Sequence, residues 1–397
     1  MRRLWLPLAA LLWLTGCGNY LEMTRMNFVA GLAIDRGPDG YAVTVEALDL
    51  SGSPEDSELD SFFRVKGEGP TLPKAMEAIQ SRLAYRLRYS GLETVVIHED
   101  VAREEGLGDV LDWFTRDVEL CEAASLMISR GQPAEEVLSA EGQDVKGVSW
   151  ALENLINPLG RESARTVRRP VYRVTDILST PGKSLTLPAI SVTPEEKEDG
   201  GQAEESGGEE AGTVRLDGLA VFSGDRLTGY LEQERVPYYL CLIGSPDKSE
   251  FVLHVDGEGD VPQTVELRIQ NSGTRRAVRK DAPAAFQIKV RAKGRVSQTL
   301  GGPSSAGGAS SAGGPSSLNW MDQLERQAAE QFKRELRQTV EIIQTELGAD
   351  ILALGYELYL HSGALWEGSA DPWDKRFEEA DVEIDADVRV FSSGNTV

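Results

Sequence analysis

The most definite chemical signal in the sequence is Cys17, which ends the stretch Leu14–Cys17 after an apolar run. Arg2 and Arg3 give the N-terminus a positive start, and the run Leu4–Leu14 follows, which is the layout of an export signal. Small residues before the cysteine give a peptidase access to the chain, and the thiol is the nucleophile that forms a thioether with diacylglycerol. The pattern is that of the bacterial lipobox. We therefore expect residues 1–16 to be a lipoprotein signal peptide and Cys17 to be lipidated.

The N-terminal apolar run is too short to span a bilayer. As a helix it would cover about 16 Å, roughly half of a hydrocarbon core, and no later run approaches the ~20 residues that spanning requires. We therefore expect attachment to the membrane through the N-terminal lipid, because two or three acyl chains anchor a protein firmly. The alternative is an ordinary signal peptide followed by a cysteine that is not modified.

Residue patterns for catalysis or metal binding are sparse. The three histidines, His98, His254 and His361, are scattered along the chain, and no G-x-S-x-G, P-loop, H-E-x-x-H or dinucleotide motif occurs. Cys121 and Cys241 lack C-x-x-C spacing, which argues against redox and structural zinc motifs. Two free thiols and a disulfide between them both remain open. We predict no catalytic residue, no cofactor and no metal site, and hence a protein that is not an enzyme.

Four carboxylates alternate with apolar residues near the C-terminus, at Asp381, Glu383, Asp385 and Asp387. Alternate residues of a strand point to the same face but lie roughly 6.5–7 Å apart, too far for neighbours to share one Ca²⁺ ion at about 2.4 Å. This spacing favours a solvated strand face over a calcium site.

The overall charge argues against some classes of partner. The 397 residues include 41 Lys and Arg against 64 Asp and Glu, which gives a net charge of −23. With no basic stripe evident, we expect no binding of nucleic acid, because the phosphate backbone would be repelled. The length is typical of two or three domains.

Two segments divide the chain after the signal peptide. Residues 194–212 are rich in Glu and Gly and lack large apolar side chains, which predicts an acidic disordered linker. Residues 301–317 are rich in Gly and Ser, which predicts a flexible segment. The predicted domains are therefore 17–193, 213–300 and 318–397, and 213–397 remains a candidate for one C-terminal unit.

The first domain contains helix and strand signals in alternation. Two strand-like runs at 29–34 and 41–48 flank a turn rich in Gly and Pro, which predicts a hairpin. Thr71 precedes an amphipathic helix and is suited to cap it, and 101–114 also has helical spacing. Short apolar strands at 95–97 and 126–128 complete an order typical of an α+β fold.

The later domains have strand signals followed by a long helix. A hairpin is predicted at 219–230, and alternating runs at 251–255, 265–269 and 286–290 predict an antiparallel sheet. Apolar residues then recur every three or four positions from Trp320 to Leu347, and Gly348 follows where a helix cap belongs. This stripe is suited either to pack on the C-terminal sheet or to bind a partner helix.

Beyond these patterns, the order of segments resembles the Ger(x)C family of spore germination lipoproteins across nearly the whole mature chain. The most specific stretch is Gly218–Phe222 with Leu227–Leu231 and Glu234. The other similar stretches are Leu14–Cys17, Asn19–Glu22, Gly31–Asp35, Tyr89–Glu99, Val110–Asp117, Ala349–Leu352, Trp373 and Asp381–Val390.

The resemblance implies a multidomain α+β fold and a role that composition alone does not reveal. Members of this family are C subunits of nutrient germinant receptors, are anchored on the outer face of the spore inner membrane, and act with A and B subunits. The resemblance thus implies a non-enzymatic, lipid-anchored receptor subunit required for germination. A lipid-anchored solute-binding protein is the main alternative, and a tethered envelope hydrolase is a further one.

Overall fold

The computed structural model describes residues 26–49, 61–117, 119–140, 147–157, 165–193, 212–245, 248–256, 262–279, 284–300, 318–367 and 372–390. Both predicted linkers and the segment around Cys17 lie outside these residues, apart from Gly212. The fold is α+β, with two sheets and helices packed on them.

A nine-stranded mixed sheet, here called sheet 1, occupies the N-terminal half and is ordered β3-β2-β1-β5-β6-β7-β8-β9, with β4 paired to β1. Its strands are β1 Met26–Gly37, β2 Gly40–Asp49, β3 Ser61–Gly69, β4 Arg86–Arg88, β5 Thr94–His98, β6 Ser125–Ser129, β7 Thr186–Thr193, β8 Thr213–Ser223 and β9 Arg226–Leu231. The predicted hairpins at β1–β2 and β8–β9 are both confirmed.

Helices cover both faces of sheet 1. They are α1 Leu72–Gln80, α2 Gly108–Arg116, α3 Ala134–Ser139, α4 Val148–Ile156 and α5 Val171–Ser179. Alternate strand residues therefore enter two different cores: Val95 and Ile97 face the larger core, whereas Val96 faces a smaller one with α3 and α4. Burial on both faces explains why these strands are apolar almost throughout.

Two local expectations in this half have different outcomes. Thr71 caps α1 as predicted, since its hydroxyl accepts a hydrogen bond from the Lys74 amide at 3.4 Å. The single helix predicted over 101–114 is wrong, because a π-helical turn, Val101–Glu105, ends at Gly106 before α2 begins. Gly106 has φ of 85°, a conformation that favours glycine.

Sheet 2, the four-stranded C-terminal sheet, is ordered β10-β11-β12-β13, with strands β10 Lys248–Asp256, β11 Pro262–Val278, β12 Ala285–Leu300 and β13 Asp381–Val390. The predicted antiparallel pairing holds for β10, β11 and β12, whereas β13 joins parallel to β12. The block 213–300 therefore contributes strands to both sheets. The proposed domain boundaries stay predictions.

The long predicted helix is confirmed as α7 Leu318–Ile342, which continues as a π-helical turn to Leu347 and ends at Gly348 with φ of 60°. Its apolar stripe is buried in the core of sheet 2, which decides between the two roles left open for it: Leu324, Ala328, Phe332, Leu336, Val340 and Ile343. The remaining helices of this half are α6 Val236–Ile243, α8 Leu354–His361, α9 Gly363–Glu367 and α10 Trp373–Glu378.

Candidate interaction surfaces

Most residues considered for chemistry lie apart from any catalytic arrangement. His98 is half-buried, 3.7 Å from Asp100, and His361 is exposed, 3.5 Å from Glu357. Cys121 and Cys241 are not joined by a disulfide bond. Within the described ranges, no group of three or more His, Cys, Asp or Glu is placed to hold a metal ion. No helix in the same ranges is both long and apolar enough to cross a bilayer.

The acidic residue that ends the Gly31–Asp35 stretch has a structural task. The Asp35 carboxylate accepts hydrogen bonds from the backbone amides of Ala134 at 2.7 Å and Glu135 at 2.9 Å, at the start of α3. Burial raises the pKa of Asp35, while the two amide bonds oppose that effect. Asp35 thus joins the first hairpin to a helix about a hundred residues later.

A second motif carboxylate, Glu99, connects β5 to β9. It accepts hydrogen bonds from the Tyr230 hydroxyl at 2.8 Å and the Gly131 amide at 2.6 Å. The Arg130 guanidinium lies 4.3 Å from the centre of the Tyr230 ring and pairs with Glu232 at 2.8 Å. Burial alone would raise the pKa of Glu99, but the hydrogen bonds from Tyr230 and Gly131 and the ion pair with Arg103 together outweigh it, so the pKa is lowered. The cluster fixes the β8–β9 hairpin to the segments that follow β5 and β6.

The third motif carboxylate, Asp350, is fully buried between α7 and α8. It accepts hydrogen bonds from the amides of Leu354 and Gly355 at 3.1 and 2.6 Å, and from the Trp373 indole at 2.9 Å. Burial raises its pKa to about 6, although these three bonds lower it. The residues that carried the family resemblance therefore position elements, and they do not converge on a reactive centre.

The sequence analysis missed one further residue of this kind, Glu46. It is completely buried and accepts bonds from the Val148 and Ser149 amides and the Ser149 hydroxyl, at 3.2, 2.8 and 2.6 Å. Arg64 pairs with it at 2.9 Å. The available signal was an acidic residue between Val45 and Ala47 in an otherwise apolar strand.

The expectation that the protein has no basic stripe is wrong. On β12 the residues that alternate with the buried apolar positions are basic and exposed: Lys289, Arg291, Lys293 and Arg295. Arg275 of β11 lies directly opposite Lys289, on the same outer face of sheet 2. The alternation of Lys and Arg at every second position was visible in the sequence but was masked by the strongly acidic total.

An open groove of about 550 Å³ runs along this basic face. A β-bulge between Asn271 and Gly273 shapes it, and a Cβ at Gly273 would meet no atom within 4 Å. Asn271 Nδ2 and Thr274 Oγ1 hold the bulge by donating to the Cys241 carbonyl at 2.9 and 2.6 Å. Small side chains between long cationic ones leave this hollow, which offers guanidinium and hydroxyl donors to an anionic group.

The four alternating carboxylates predicted on one face of β13 do lie there and are exposed. They border the basic residues of β12, and all four form ion pairs. Arg279 pairs with Asp381 at 2.9 Å and with Glu383 at 3.8 Å. Asp385 pairs with Lys289 at 3.8 Å, and Asp387 pairs with Arg389 at 3.9 Å. The outer face of sheet 2 is therefore bipolar, with an acidic edge beside a basic centre.

A second groove, of about 540 Å³, lies between α1 and α2. Leu72, Pro73 and Trp113 give it an apolar wall, and the Tyr41 hydroxyl donates to Asp109 at 2.6 Å on one side. Burial together with this bond raises the pKa of Tyr41, so the phenol stays neutral. The groove is suited to bind an amphipathic group.

Comparison with protein families covers both halves of the chain. Residues 19–192 match the family described as the spore germination protein N-terminal domain, and residues 217–394 match the spore germination B3/GerAC-like C-terminal family. The two matches together cover most of the sequence.

Similar proteins include two from Bacillus subtilis (strain 168). The putative spore germination protein YfkR is 27% identical over 300 residues, which span 73% of this chain and 72% of YfkR. Spore germination protein B3 is 22% identical over 397 residues, 97% of this chain and 96% of B3. The crystal structure of the GerBC protein matches this structure with a TM-score of 0.51 at 18% identity. The match covers 93% of this chain and 100% of the GerBC chain, which shows that the two share a fold. This chain belongs to the GerAC family of spore germination proteins.

Proposed function

We propose that this chain is the lipid-anchored C subunit of a spore nutrient germinant receptor and acts without catalysis, together with A and B subunits. The observation that carries the proposal is the match of both family domains, in order, along one chain. The lipobox pattern ending at Cys17 supplies the anchor. The protein then sits on the outer face of the spore inner membrane.

The architecture supports a binding role. Its motif carboxylates are committed to backbone amides and an indole, so they serve to hold the elements in place. The surface presents two open grooves and a bipolar sheet face, which are suited to contacts with charged protein surfaces. The partner subunits are the proposed occupants of such surfaces.

The test is a deletion of the coding sequence in its spore-forming host, complemented with wild type, Cys17→Ala or Cys121→Ala. The readout is the nutrient-triggered loss of spore refractility. We expect wild type and Cys121→Ala to restore germination and Cys17→Ala to restore it poorly, because only Cys17 carries the anchor.

One outcome would contradict the receptor role, and another would contradict the lipid anchor. Normal germination of the deletion strain with every nutrient tested would favour the lipid-anchored solute-binding alternative, which predicts a rise in melting temperature with a small solute. Full rescue by Cys17→Ala would leave the receptor role standing and would remove the lipid anchor from it.

A further inference from the structure

An aromatic and apolar patch on α8 and α9 is unusually exposed. Among the described residues, Tyr359, Leu360 and Leu365 expose 43%, 53% and 41% of their surface. The half-buried side chains of Tyr356 and Trp366 adjoin them, since Tyr359 lies 6.4 Å from the first ring and 5.9 Å from the second. We name these five residues the aromatic patch.

The aromatic patch is anchored rigidly to the core of sheet 2. The Trp366 ring lies 5.8 Å from that of Trp373, which lies 6.3 Å from that of the fully buried Phe377. A chain of ring contacts therefore runs from the core to the surface, so the patch holds its exposed apolar surface in a fixed place.

The strand topology fixes where the aromatic patch lies relative to the N-terminus. The Tyr356 amide donates to the Gly182 carbonyl at 3.0 Å, so α8 begins against the turn that precedes β7. Because β1, β5, β6 and β7 are parallel neighbours, that turn lies at the end of sheet 1 where β1 begins. The chain enters sheet 1 at this same end, at Met26.

Chain length then limits how far the lipid can lie from this end. The nine residue steps from Cys17 to Met26 span at most about 30 Å, even if fully extended. A lipid on Cys17 thus keeps the Met26 end of sheet 1 close to the bilayer. The aromatic patch belongs to the same end of the molecule.

The chemistry of the aromatic patch suits the boundary between lipid headgroups and acyl chains. Tyr and Trp rings prefer this boundary because one part of each ring is apolar and another is polar. The Lys183 ammonium lies 4.0 Å from the centre of the Tyr356 ring, and the Arg376 guanidinium lies 5.4 Å from that of Trp373. These cations are suited to phosphate groups, while the nearby Glu357 is paired with Arg276 at 3.7 Å.

We propose that the aromatic patch inserts into the headgroup region of the bilayer that holds the Cys17 lipid. The inference rests on the lipid anchor of the proposed function and adds a second membrane contact to it. Two contacts define an orientation, whereas a single lipid attachment leaves the molecule free to rotate.

The test uses the full lipidated chain in vesicles of phosphatidylcholine and phosphatidylglycerol that carry brominated acyl chains, which quench nearby tryptophan fluorescence. We expect vesicle-bound wild type to be quenched and Trp366→Phe to lose at least half of that quenching. Trp113→Phe is the matched control, because Trp113 lines the same groove as Tyr41, which pairs with Arg36 at the end of β1 opposite Met26. It should retain the quenching.

A second variant tests insertion without touching tryptophan. Tyr359→Ser combined with Leu360→Ser removes two exposed side chains, so the fold should persist by circular dichroism while the quenching falls. Equal quenching in this variant and wild type, or none in vesicle-bound wild type, would overturn the inference. Quenching confined to membranes that contain the other receptor subunits would also overturn it, in favour of a protein partner.

The anchor is checked separately by the mass of the N-terminal peptide. A lipidated Cys17 without quenching leaves the proposed function intact and rejects the membrane contact of the patch. An unmodified Cys17 rejects the anchor and the inference together.

Discussion

At the scale of single residues, buried carboxylates determine how distant segments meet. Asp35, Glu46 and Asp350 each accept two or more hydrogen bonds from a helix start. A carboxylate is favourable there because free amide groups and the helix dipole both attract negative charge. These residues have charge and geometry that are typical of an active site, yet the structure commits them to backbone groups.

Removal of Glu46 should strongly destabilise the protein. Glu46→Ala leaves two buried amides and a buried hydroxyl without a partner, and we expect the free energy of unfolding to fall by about 3 kcal/mol. Glu68→Ala is the control, since Glu68 is exposed on the neighbouring strand. Urea unfolding followed by circular dichroism measures both. A Glu46→Ala midpoint equal to that of Glu68→Ala would contradict this account.

Asp350 should give the protein a distinct pH dependence. Its pKa is raised to about 6 from 3.8, so the folded state binds a proton between about pH 4 and 6 that the unfolded chain does not. The contribution of Asp350 to stability is therefore present at low pH and is lost as the pH rises through 6. From pH 7 to pH 5 it increases the free energy of unfolding by about 1 kcal/mol.

The variant Asp350→Asn isolates this contribution, because an amide keeps an acceptor and does not titrate. The urea midpoint of wild type should rise between pH 7 and pH 5, whereas that of Asp350→Asn should rise less. Asp387→Asn, on the exposed face of β13, should follow wild type. Identical pH dependence in wild type and Asp350→Asn would show that Asp350 titrates normally.

At the scale of elements, backbone geometry decides where helices end. The break between the π-helical turn and α2 occurs at Gly106, where the neighbouring amides of Leu107 and Gly108 bond to the carbonyl and carboxylate of Asp225. Helical spacing of the side chains continues across this break, so periodicity alone predicts one helix. The β8–β9 turn that carries Asp225 is what divides it.

Substitution of Gly106 should expose this constraint. An added Cβ would lie 2.7 Å from the Asp225 carboxylate, and φ of 85° is unfavourable for any other residue. We expect Gly106→Ala to lower the free energy of unfolding by about 2 kcal/mol. Gly363→Ala is the control, because a Cβ there meets no atom within 4 Å. Differential scanning calorimetry should show a clear loss for the first variant only.

At the scale of the whole molecule, the two sheets share a core. Leu219, Val221 and Leu231 of sheet 1 belong to the same buried cluster as Phe286 and Ile288 of sheet 2. Ser223 also donates to Asp374 of α10 at 2.9 Å. The halves matched by separate family models are therefore joined by buried apolar contacts.

This shared core predicts that the two sheets lose stability together. Leu231→Ala should lower the free energy of unfolding by about 3 kcal/mol through the cavity it leaves. Hydrogen exchange should then accelerate at both Val96 in β5 and Ile288 in β12. Acceleration in only one sheet would mean that the halves unfold independently.

The sequence by itself determined the local elements and the chemical class of the N-terminus. Some features depend only on neighbours within a few residues, so their patterns can be recognised in the sequence. These are the hairpin turns, the Thr71 cap, the apolar stripe of α7 and the alternation of β13. The family resemblance likewise came from such short stretches. The lipid on Cys17 stays a prediction.

Only the tertiary structure decided which distant segments lie together. The parallel pairing of β13 with β12, the joining of β8–β9 to sheet 1 and the partners of Asp350 connect positions far apart in the chain. The basic face needed the pairing of Arg275 with Lys289, and the aromatic patch needed the packing of α8 against Gly182. Periodicity specifies which face of an element is apolar, whereas the element that covers that face is selected by the packing of the whole chain.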